Sequence, residues 1–416
     1  MTLSGSSLRR ALGVRDAVLV GLGAMIGAGI FAALGPAARA AGSGLWYALA
    51  AAAVVAYCNA TASARLAALY PLSGGTYVYG RERLGPLWGY LAGWAFVVGK
   101  TASCAAMALT VGAYVWPQQA HAVAVAAVVA LTAVNYRGVQ KSARLTRLIV
   151  AVVLAVLAAV VVACATSGAA SAGRLAPGLS EGVGGVLGGA GLLFFAFAGY
   201  ARVATLGEEV RDPARTIPRA IPVALGITLV VYAAVGTAVV AVLGVDGLAG
   251  ASAPLADAVR AAGAGALVPV VRVGAAVAAL GSLLALILGV SRTTLAMARD
   301  RHLPGALAAV HPRFEVPHRA ELAVGAVVAV VAALGDVRGA IGFSSFGVLV
   351  YYAIANASAW TLDPALRARV LPALGAVGCL VLAGSLPLSS VVTGAAVLVV
   401  GALAYAVRAR AARSTP

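Results

Sequence analysis

Residues Gly21–Phe31 read Gly-Leu-Gly-Ala-Met-Ile-Gly-Ala-Gly-Ile-Phe and lie within a charge-free apolar segment from Ala17 to Ala38. The segment is long enough to cross a bilayer as a helix. A glycine inside a helix costs roughly 1 kcal/mol relative to alanine, so the close pair Gly27 and Gly29 favours a backbone that opens there. Exposed N–H groups at bilayer depth are tolerated only where they line a cavity or meet a polar ligand.

The glycine pattern admits two interpretations. In the first, the helix is broken, and the freed amides hold an anionic group at the positive end of a half-helix dipole. In the second, the glycines form a smooth face against which a neighbouring membrane helix packs closely. The spacing of the glycines is compatible with both.

The composition is that of an all-α integral membrane protein. Of 416 residues, 62% are hydrophobic and 10% are charged, which is far more apolar than a soluble protein of this length. The net charge of +17 does not indicate a nucleic-acid partner, because the basic residues lie between apolar segments. The four cysteines lack the spacing of metal ligands, and we expect neither a metal site nor a cofactor.

The apolar segments predict twelve transmembrane helices in one domain that extends over residues 1–416. They lie near 17–37, 43–64, 84–115, 119–136, 148–167, 183–206, 220–243, 272–291, 322–335, 339–361, 370–385 and 389–407. An apolar stretch at 261–271, between two arginines, is expected to form a helix on the outer surface.

The distribution of lysine and arginine predicts the orientation in the membrane. With both termini in the cytoplasm, cytoplasmic segments hold 23 of the 30 basic residues. The outer segments hold five: Arg39, Arg174, Arg260, Arg272 and Arg338. Lys100 and Arg202 fall within predicted spans. The sequence therefore predicts a multi-pass protein of the plasma membrane with both termini cytoplasmic.

A second glycine-interrupted helix occurs in the sixth predicted span, at 188–200. Broken helices in corresponding positions of two halves are typical of inverted-repeat transporters with a site at the membrane midplane. We expect a repeat of five helices over about 15–167, a second over about 183–361, and two appended helices over about 370–407. The alternative is coincidence in a chain with 50 glycines.

Four motifs, in order along the chain, resemble those of the amino acid–polyamine–organocation superfamily of permeases. Ile26–Phe31 is similar to the signature of its first helix, and Tyr70–Tyr79 to the loop before its third. Phe194–Tyr200 followed by Glu208–Pro218 resembles its sixth helix and the next loop. Ala296–Pro304 resembles the end of its eighth helix. The closest resemblance is to the cationic amino acid transporter-like branch.

The resemblance implies the inverted five-plus-five fold with broken helices 1 and 6, and an α-amino acid as the small-molecule substrate. It implies that the carboxylate binds backbone amides in the first-helix signature, at Ile26, Gly27, Ala28 and Gly29. The α-ammonium is expected to bind carbonyls at the sixth-helix break, around Phe195, Ala198 and Gly199. Half-helix dipoles favour the same division, because amides gather at helix starts and carbonyls at helix ends.

Four further positions bear on which ion, if any, is coupled to transport. Some proton-coupled relatives have a lysine in the fifth span and others an acid after the sixth-span glycine, where this chain has Val153 and Ala201. Ser282 matches a position that lines a sodium site in sodium-coupled relatives, although a lone serine is common in membrane helices. Lys100 lies halfway along the third span, where burial favours the neutral amine. It is a candidate proton carrier, a candidate counter-charge to the substrate, or a snorkelling side chain.

Three charged residues are candidates for an inner gate: Arg202, Glu208 and Glu209. The alternatives are an anchoring role for Arg202 and a solvated loop for the two acids.

The predicted function is a secondary active transporter of amino acids that works by alternating access, through proton-coupled symport or exchange. Lys100 and Arg202 near the pathway oppose a cationic side chain, so we expect neutral amino acids. A cationic amino acid or polyamine transporter of the same family is the first alternative. A channel or a membrane-embedded enzyme is the alternative from another class. The sequence leaves the oligomeric state open.

Overall fold

The computed structural model describes residues 12–70, 74–138, 143–204 and 210–413, and these residues form a bundle of helices. In the first part of the chain the helices are α1 (Val14–Met25), α2 (Ala28–Ala32), α3 (Leu34–Ala41), α4 (Leu45–Leu69), α5 (Thr76–Leu84), α6 (Pro86–Val115), α7 (Ala120–Tyr136) and α8 (Ala143–Ala165). The remainder forms α9 (Gly182–Phe197), α10 (Ala201–Ala204), α11 (Pro213–Gly250), α12 (Pro254–Ala261), α13 (Val268–Arg299), α14 (His318–Leu334), α15 (Val337–Trp360), α16 (Leu366–Gly384) and α17 (Leu388–Arg413).

The prediction of an all-α multi-pass membrane protein is confirmed. Eleven helical segments of the described residues are long and apolar enough to cross a membrane. The predicted ninth span falls on α14, which has 17 residues and is shorter than each of the eleven. The count of twelve crossings therefore depends on α14 and stays a prediction, as does the inverted repeat.

Both expected helix interruptions are present. The first span breaks at Ile26 and Gly27, between α1 and α2. The sixth span changes at Ala198–Tyr200 from an α-helix to a 3-10 turn, which leads into α10. The glycine-rich sequences thus give up helical hydrogen bonds at these two points, where the resemblance requires them to do so.

Helix α6 lies at the centre of the bundle, and most of its residues are buried. It approaches α15 closely because two glycines face each other: a Cβ atom on Gly99 would lie 3.3 Å from the Cα atom of Gly347. The last two helices, α16 and α17, are peripheral, and few of their residues are buried. This arrangement brings Lys100, which lies on α6, into the protein interior.

The expected surface helix at 261–271 is wrong in its position. The short helix is α12, Pro254–Ala261, and α13 already begins at Val268. Helix α12 is strongly amphipathic, and its apolar side chains are buried; Leu255 and Val259 are fully covered. The charged side chains of Asp257 and Arg260 form an ion pair of 2.7 Å. The helix therefore packs by its apolar face and exposes this ion pair.

Candidate functional site

The two helix breaks lie against each other. A Cβ atom on Gly199 would lie 2.6 Å from the backbone nitrogen of Met25, at the end of α1. Only glycine allows the backbones of the two interrupted spans to approach so closely. The predicted carboxylate-binding residues of the first span and ammonium-binding residues of the sixth span are thereby brought together.

Tyr232 of α11 bridges the two breaks. Its hydroxyl donates to the carbonyl oxygen of Met25 at 2.6 Å and to that of Ala196 at 3.0 Å. Its ring packs on that of Phe197, with centroids 5.1 Å apart. Sequence reasoning missed this residue. The available signal was a tyrosine in the middle of an otherwise apolar span, at a depth where a hydroxyl requires a hydrogen-bond partner.

Gly27 and Gly29 also have neighbours that a side chain would displace. A Cβ atom on Gly27 would collide with Oγ of Ser282, and one on Gly29 would lie 2.7 Å from Cα of Ala196. The structure shows the helix break of the first interpretation and the close packing of the second, while the binding of an anion by the freed amides stays a prediction. The helix breaks at Gly27, and the same glycines allow close packing of α13 and α9 on the break.

The first amides of α2 are the groups that an anion could bind. Gly27 is the residue before this helix, so the N–H groups of its first turn, beginning with Ala28, have no acceptor within the helix. Ile26 and Ala28 are buried, as are Phe195 and Ala198 on the opposing span. Both breaks are therefore desolvated, and backbone dipoles act strongly in such surroundings.

Lys100 contacts the second break directly. Its ammonium group donates to the carbonyl oxygen of Ala198 at 3.4 Å, and only 7% of the residue is exposed. One helical turn further, Ser103 and Ser344 share a hydrogen bond of 2.5 Å between α6 and α15. The sequence placed Lys100 near the pathway, and the structure places it on one of the carbonyls that were expected to bind the substrate ammonium.

One end of the site is covered by a hydrogen-bonded layer. The hydroxyl of Tyr114 donates to the carbonyl oxygen of Phe31 at 3.2 Å and accepts from the backbone N–H of Leu255 at 3.3 Å. The rings of Phe31 and Tyr114 meet edge to face at 5.7 Å. This layer connects α2, α6 and α12 and lies at the end of the site predicted to face outward.

The opposite end is covered by the beginning of α1. Leu12 pairs with Val210, and the carboxylate of Asp16 contacts Arg147 of α8 at 2.6 Å. Gly21 packs on Val203 of α10, because its Cβ position lies 2.9 Å from that side chain. Arg202 is half-buried in α10. The gating candidates Glu208 and Glu209 lie outside the described residues.

Two of the recognised motifs meet at the same face. The hydroxyl of Tyr77 donates to Asp300 and lies 2.9 Å from Nδ1 of His302, and Arg81 contacts Asp300 at 3.2 Å. Burial and the Asp300 carboxylate raise the pKa of Tyr77, which keeps the phenol as a donor. Burial lowers the pKa of His302, which favours a neutral ring at pH 7. This network fixes α5 to the end of α13.

A small cavity of about 10 Å³ adjoins the first break. Val153 of α8 lines it together with Gly23, Ile26 and Ala278, and its lining side chains are all apolar. Ser282 lies beside it and donates to the carbonyl oxygen of Gly23 at 3.4 Å. A hard cation requires several oxygen ligands, and the oxygens that the structure places beside this apolar lining are the Ser282 hydroxyl and the Gly23 carbonyl.

Two interrupted helices that meet inside a bundle of membrane-spanning helices are typical of secondary transporters. A model of the amino acid permease family matches residues 12–407, and the chain belongs to that family.

Three relatives illustrate the range of similarity. An uncharacterized transporter of Mycobacterium tuberculosis is 74% identical over 413 residues, which is 98% of this chain and 94% of the relative. A branched-chain amino acid permease of Bacillus subtilis is 27% identical over 357 residues, or 80% of this chain and 76% of the relative. The human cationic amino acid transporter 4 is 29% identical over 373 residues, which is 83% of this chain and 59% of the relative. These relatives agree with the resemblance to the superfamily and to its cationic branch.

Proposed function

We propose that the protein is a secondary active transporter that moves amino acids across the plasma membrane by alternating access. The observation that carries the proposal is the meeting of the two helix breaks, where Tyr232 holds carbonyl oxygens of both. Such a site offers amides on one span and carbonyls on the other, which suits a zwitterion with a carboxylate and an ammonium group.

In this proposal the amides around Gly27, Ala28 and Gly29 bind the substrate carboxylate, beside the Ile26 side chain. The carbonyl of Ala198 accepts from the α-ammonium, next to Gly199. Phe195 is the aromatic residue that contacts the substrate side chain. It is 8% exposed, whereas Phe194 and Phe197 are fully buried, so its ring is the most accessible of the three.

The preferred substrates are neutral amino acids. An ammonium group on the substrate side chain would enter a desolvated site that already holds the cation of Lys100 and has Arg202 near one end. Like charges 4 Å apart repel by about 4 kcal/mol at an effective dielectric constant of 20, which disfavours arginine, lysine and polyamines. The similarity to the branched-chain permease supports this class, and the similarity to cationic transporters supports the alternative.

Coupling to protons is the mechanism that the residues favour. Lys100 is a buried titratable group at the site, whereas Ser282 offers a single side-chain oxygen beside an apolar cavity. Water or a substrate carboxylate favours the charged amine, and desolvation favours the neutral one, so the proton can exchange during the cycle. Arg202, Glu208 and Glu209 are proposed to form contacts that close the inner end.

The experiment is uptake of radiolabelled amino acids into proteoliposomes under imposed pH or sodium gradients. Saturable uptake and counterflow of neutral amino acids are expected, whereas linear flux without counterflow indicates a channel. The variant Lys100→Met should lose accumulation driven by the pH gradient and keep exchange. Ser282→Ala should change uptake to the same extent with and without sodium. Uptake that requires sodium and depends on Ser282 contradicts proton coupling.

A further inference from the structure

The ammonium group of Lys100 lies where a substrate ammonium is expected. It donates to the carbonyl oxygen of Ala198, in the 3-10 turn that interrupts the sixth span. The side chains one turn away along α6 carry no carboxylate: they are Phe96, Val97, Ser103 and Cys104. Among the described residues, the hydrogen-bond partner of this buried ammonium group is the backbone carbonyl of Ala198.

We propose that Lys100 is an internal stand-in for the substrate ammonium, which occupies the Ala198 carbonyl in the empty carrier and is displaced when an amino acid binds. The inference rests on the proposed function, because it concerns the same site. A backbone carbonyl that has no helical partner at a break in an apolar interior needs another hydrogen-bond donor. Lys100 supplies that donor when no substrate is present, and thereby allows the empty site to close.

Displacement follows from charge. Two ammonium groups at one carbonyl repel strongly in a desolvated site, so the substrate cation and the Lys100 cation exclude each other. A ligand that has the carboxylate but lacks the amine leaves Lys100 on the Ala198 carbonyl. The positive charge of Lys100 then stabilises the bound carboxylate.

The test compares three ligands of one shape: L-leucine, its desamino acid 4-methylpentanoate, and its decarboxylated amine 3-methylbutylamine. Binding is measured by displacement of tritiated L-leucine from purified protein. In the wild type, 4-methylpentanoate should compete and 3-methylbutylamine should not. In Lys100→Met, L-leucine should bind roughly tenfold tighter and 4-methylpentanoate roughly tenfold weaker. These opposite shifts are not expected from general damage to the fold.

Thr101→Val is the matched control, because the Thr101 hydroxyl donates at 2.7 Å to Val97 within its own helix. It should change neither affinity. If both ligands weaken in Lys100→Met, Lys100 contacts the substrate carboxylate directly and the inference is wrong. Unchanged affinities contradict it as well, and so does a wild type that binds the amine and rejects the desamino acid. If the wild type binds no amino acid at all, the proposed function fails, and the two failures are distinguishable.

Discussion

At the scale of single residues, the two helix breaks are stabilised by side-chain donors on backbone carbonyls. A carbonyl that leaves a helix inside a membrane loses its partner, and the chain must supply another. Three side chains do so here: Tyr232 on Met25 and Ala196, Ser282 on Gly23, and Lys100 on Ala198. They come from α11, α13 and α6, so the helices around the breaks hold the site in shape.

The variant Tyr232→Phe tests this role. It removes the hydroxyl and keeps the ring that packs on Phe197. Leaving a buried polar group without its partner costs about 1–3 kcal/mol, and two carbonyls share this donor. We therefore expect a lower melting temperature in detergent and weaker amino acid binding. Tyr47→Phe is the control, because Tyr47 is 48% exposed. Equal melting temperatures for the two variants and the wild type would show that the bridge is dispensable.

Gly29 is the residue at which close packing is tested most directly. An added Cβ atom would lie 2.7 Å from the Cα atom of Ala196, which is backbone and cannot move aside. Gly29→Ala should therefore lower the melting temperature and weaken binding of the neutral substrate. Gly226→Ala makes the same chemical change in α11, where no atom lies within 4 Å of the added carbon. That control should be neutral or stabilising, by up to about 1 kcal/mol. Tolerance of Gly29→Ala would contradict the packing argument.

The sequence predicted these residues unevenly, for physical reasons. Glycine spacing marks a break because glycine is costly in a helix, so Gly27 and Gly29 could be recognised. Tyr232 was harder to recognise, because a tyrosine within an apolar span is a weak signal in a chain with 13 tyrosines, and its role depends on which carbonyls the fold brings to it. Lys100 was conspicuous as a charge in a span, but its partner, Ala198, has no polar side chain to reveal the contact.

At the scale of helices, apolar length predicted the spans well and their ends less well. A span needs about 20 apolar residues, a strong signal that survives errors of a few residues. The short helix α12 was predicted too far along the chain, because the apolar stretch at 261–271 was a stronger signal than the amphipathic pattern before it. The pairing of α1 with α8 was also hidden, since Asp16 and Arg147 are far apart in sequence.

The ion pair between Asp16 and Arg147 connects the beginning of α1 to α8 at the predicted cytoplasmic face. If α1 moves relative to α8 during alternating access, the pair forms in one state and breaks in the other. An exposed pair contributes about 0.2–1 kcal/mol, so Asp16→Asn should shift the balance between states by up to about fivefold. We expect the transport rate to change by that amount and equilibrium binding of the substrate to change less.

Two further variants show whether the interaction between the helices is responsible. The exchanged pair Asp16→Arg with Arg147→Asp should restore transport. Asp257→Asn breaks a pair of similar length, but this pair lies within α12, so transport should be unaffected. A loss of binding equal to the loss of transport in Asp16→Asn would argue against a gate at this position.

At the scale of the whole molecule, the motifs recognised separately in the sequence are parts of one structure. The loop motif around Tyr77 and the motif that ends α13 at Asp300 are more than 200 residues apart, yet they share a hydrogen bond. The first-helix and sixth-helix motifs meet at Gly199 and Met25 in the same way. Their order along the chain predicted the family, whereas the contacts between them depend on helix packing that no single motif encodes.

The orientation of the whole molecule depends on whether α14 crosses the membrane. With 17 residues it is about 26 Å long, slightly less than the hydrocarbon thickness of about 30 Å. It nevertheless follows α7 along most of that helix: His121 lies 2.8 Å from the carbonyl oxygen of Ala332, and Gly325 packs on Thr132. A helix antiparallel to a spanning helix over this length should cross as well.

We therefore predict an even number of crossings, with both termini in the cytoplasm. Green fluorescent protein fused after Pro416 should fluoresce, because it folds only in the cytoplasm, and alkaline phosphatase at that position should be inactive. Phosphatase inserted between Gly335 and Asp336, in the turn after α14, should be active, and phosphatase inserted after Arg313 should not. The basic residues favour the same result, since Arg299, Arg301 and Arg313 precede α14 and a single arginine, Arg338, follows the turn. An active phosphatase at the C-terminus would mean that α14 does not cross, and that the chain has eleven spans with its ends on opposite sides.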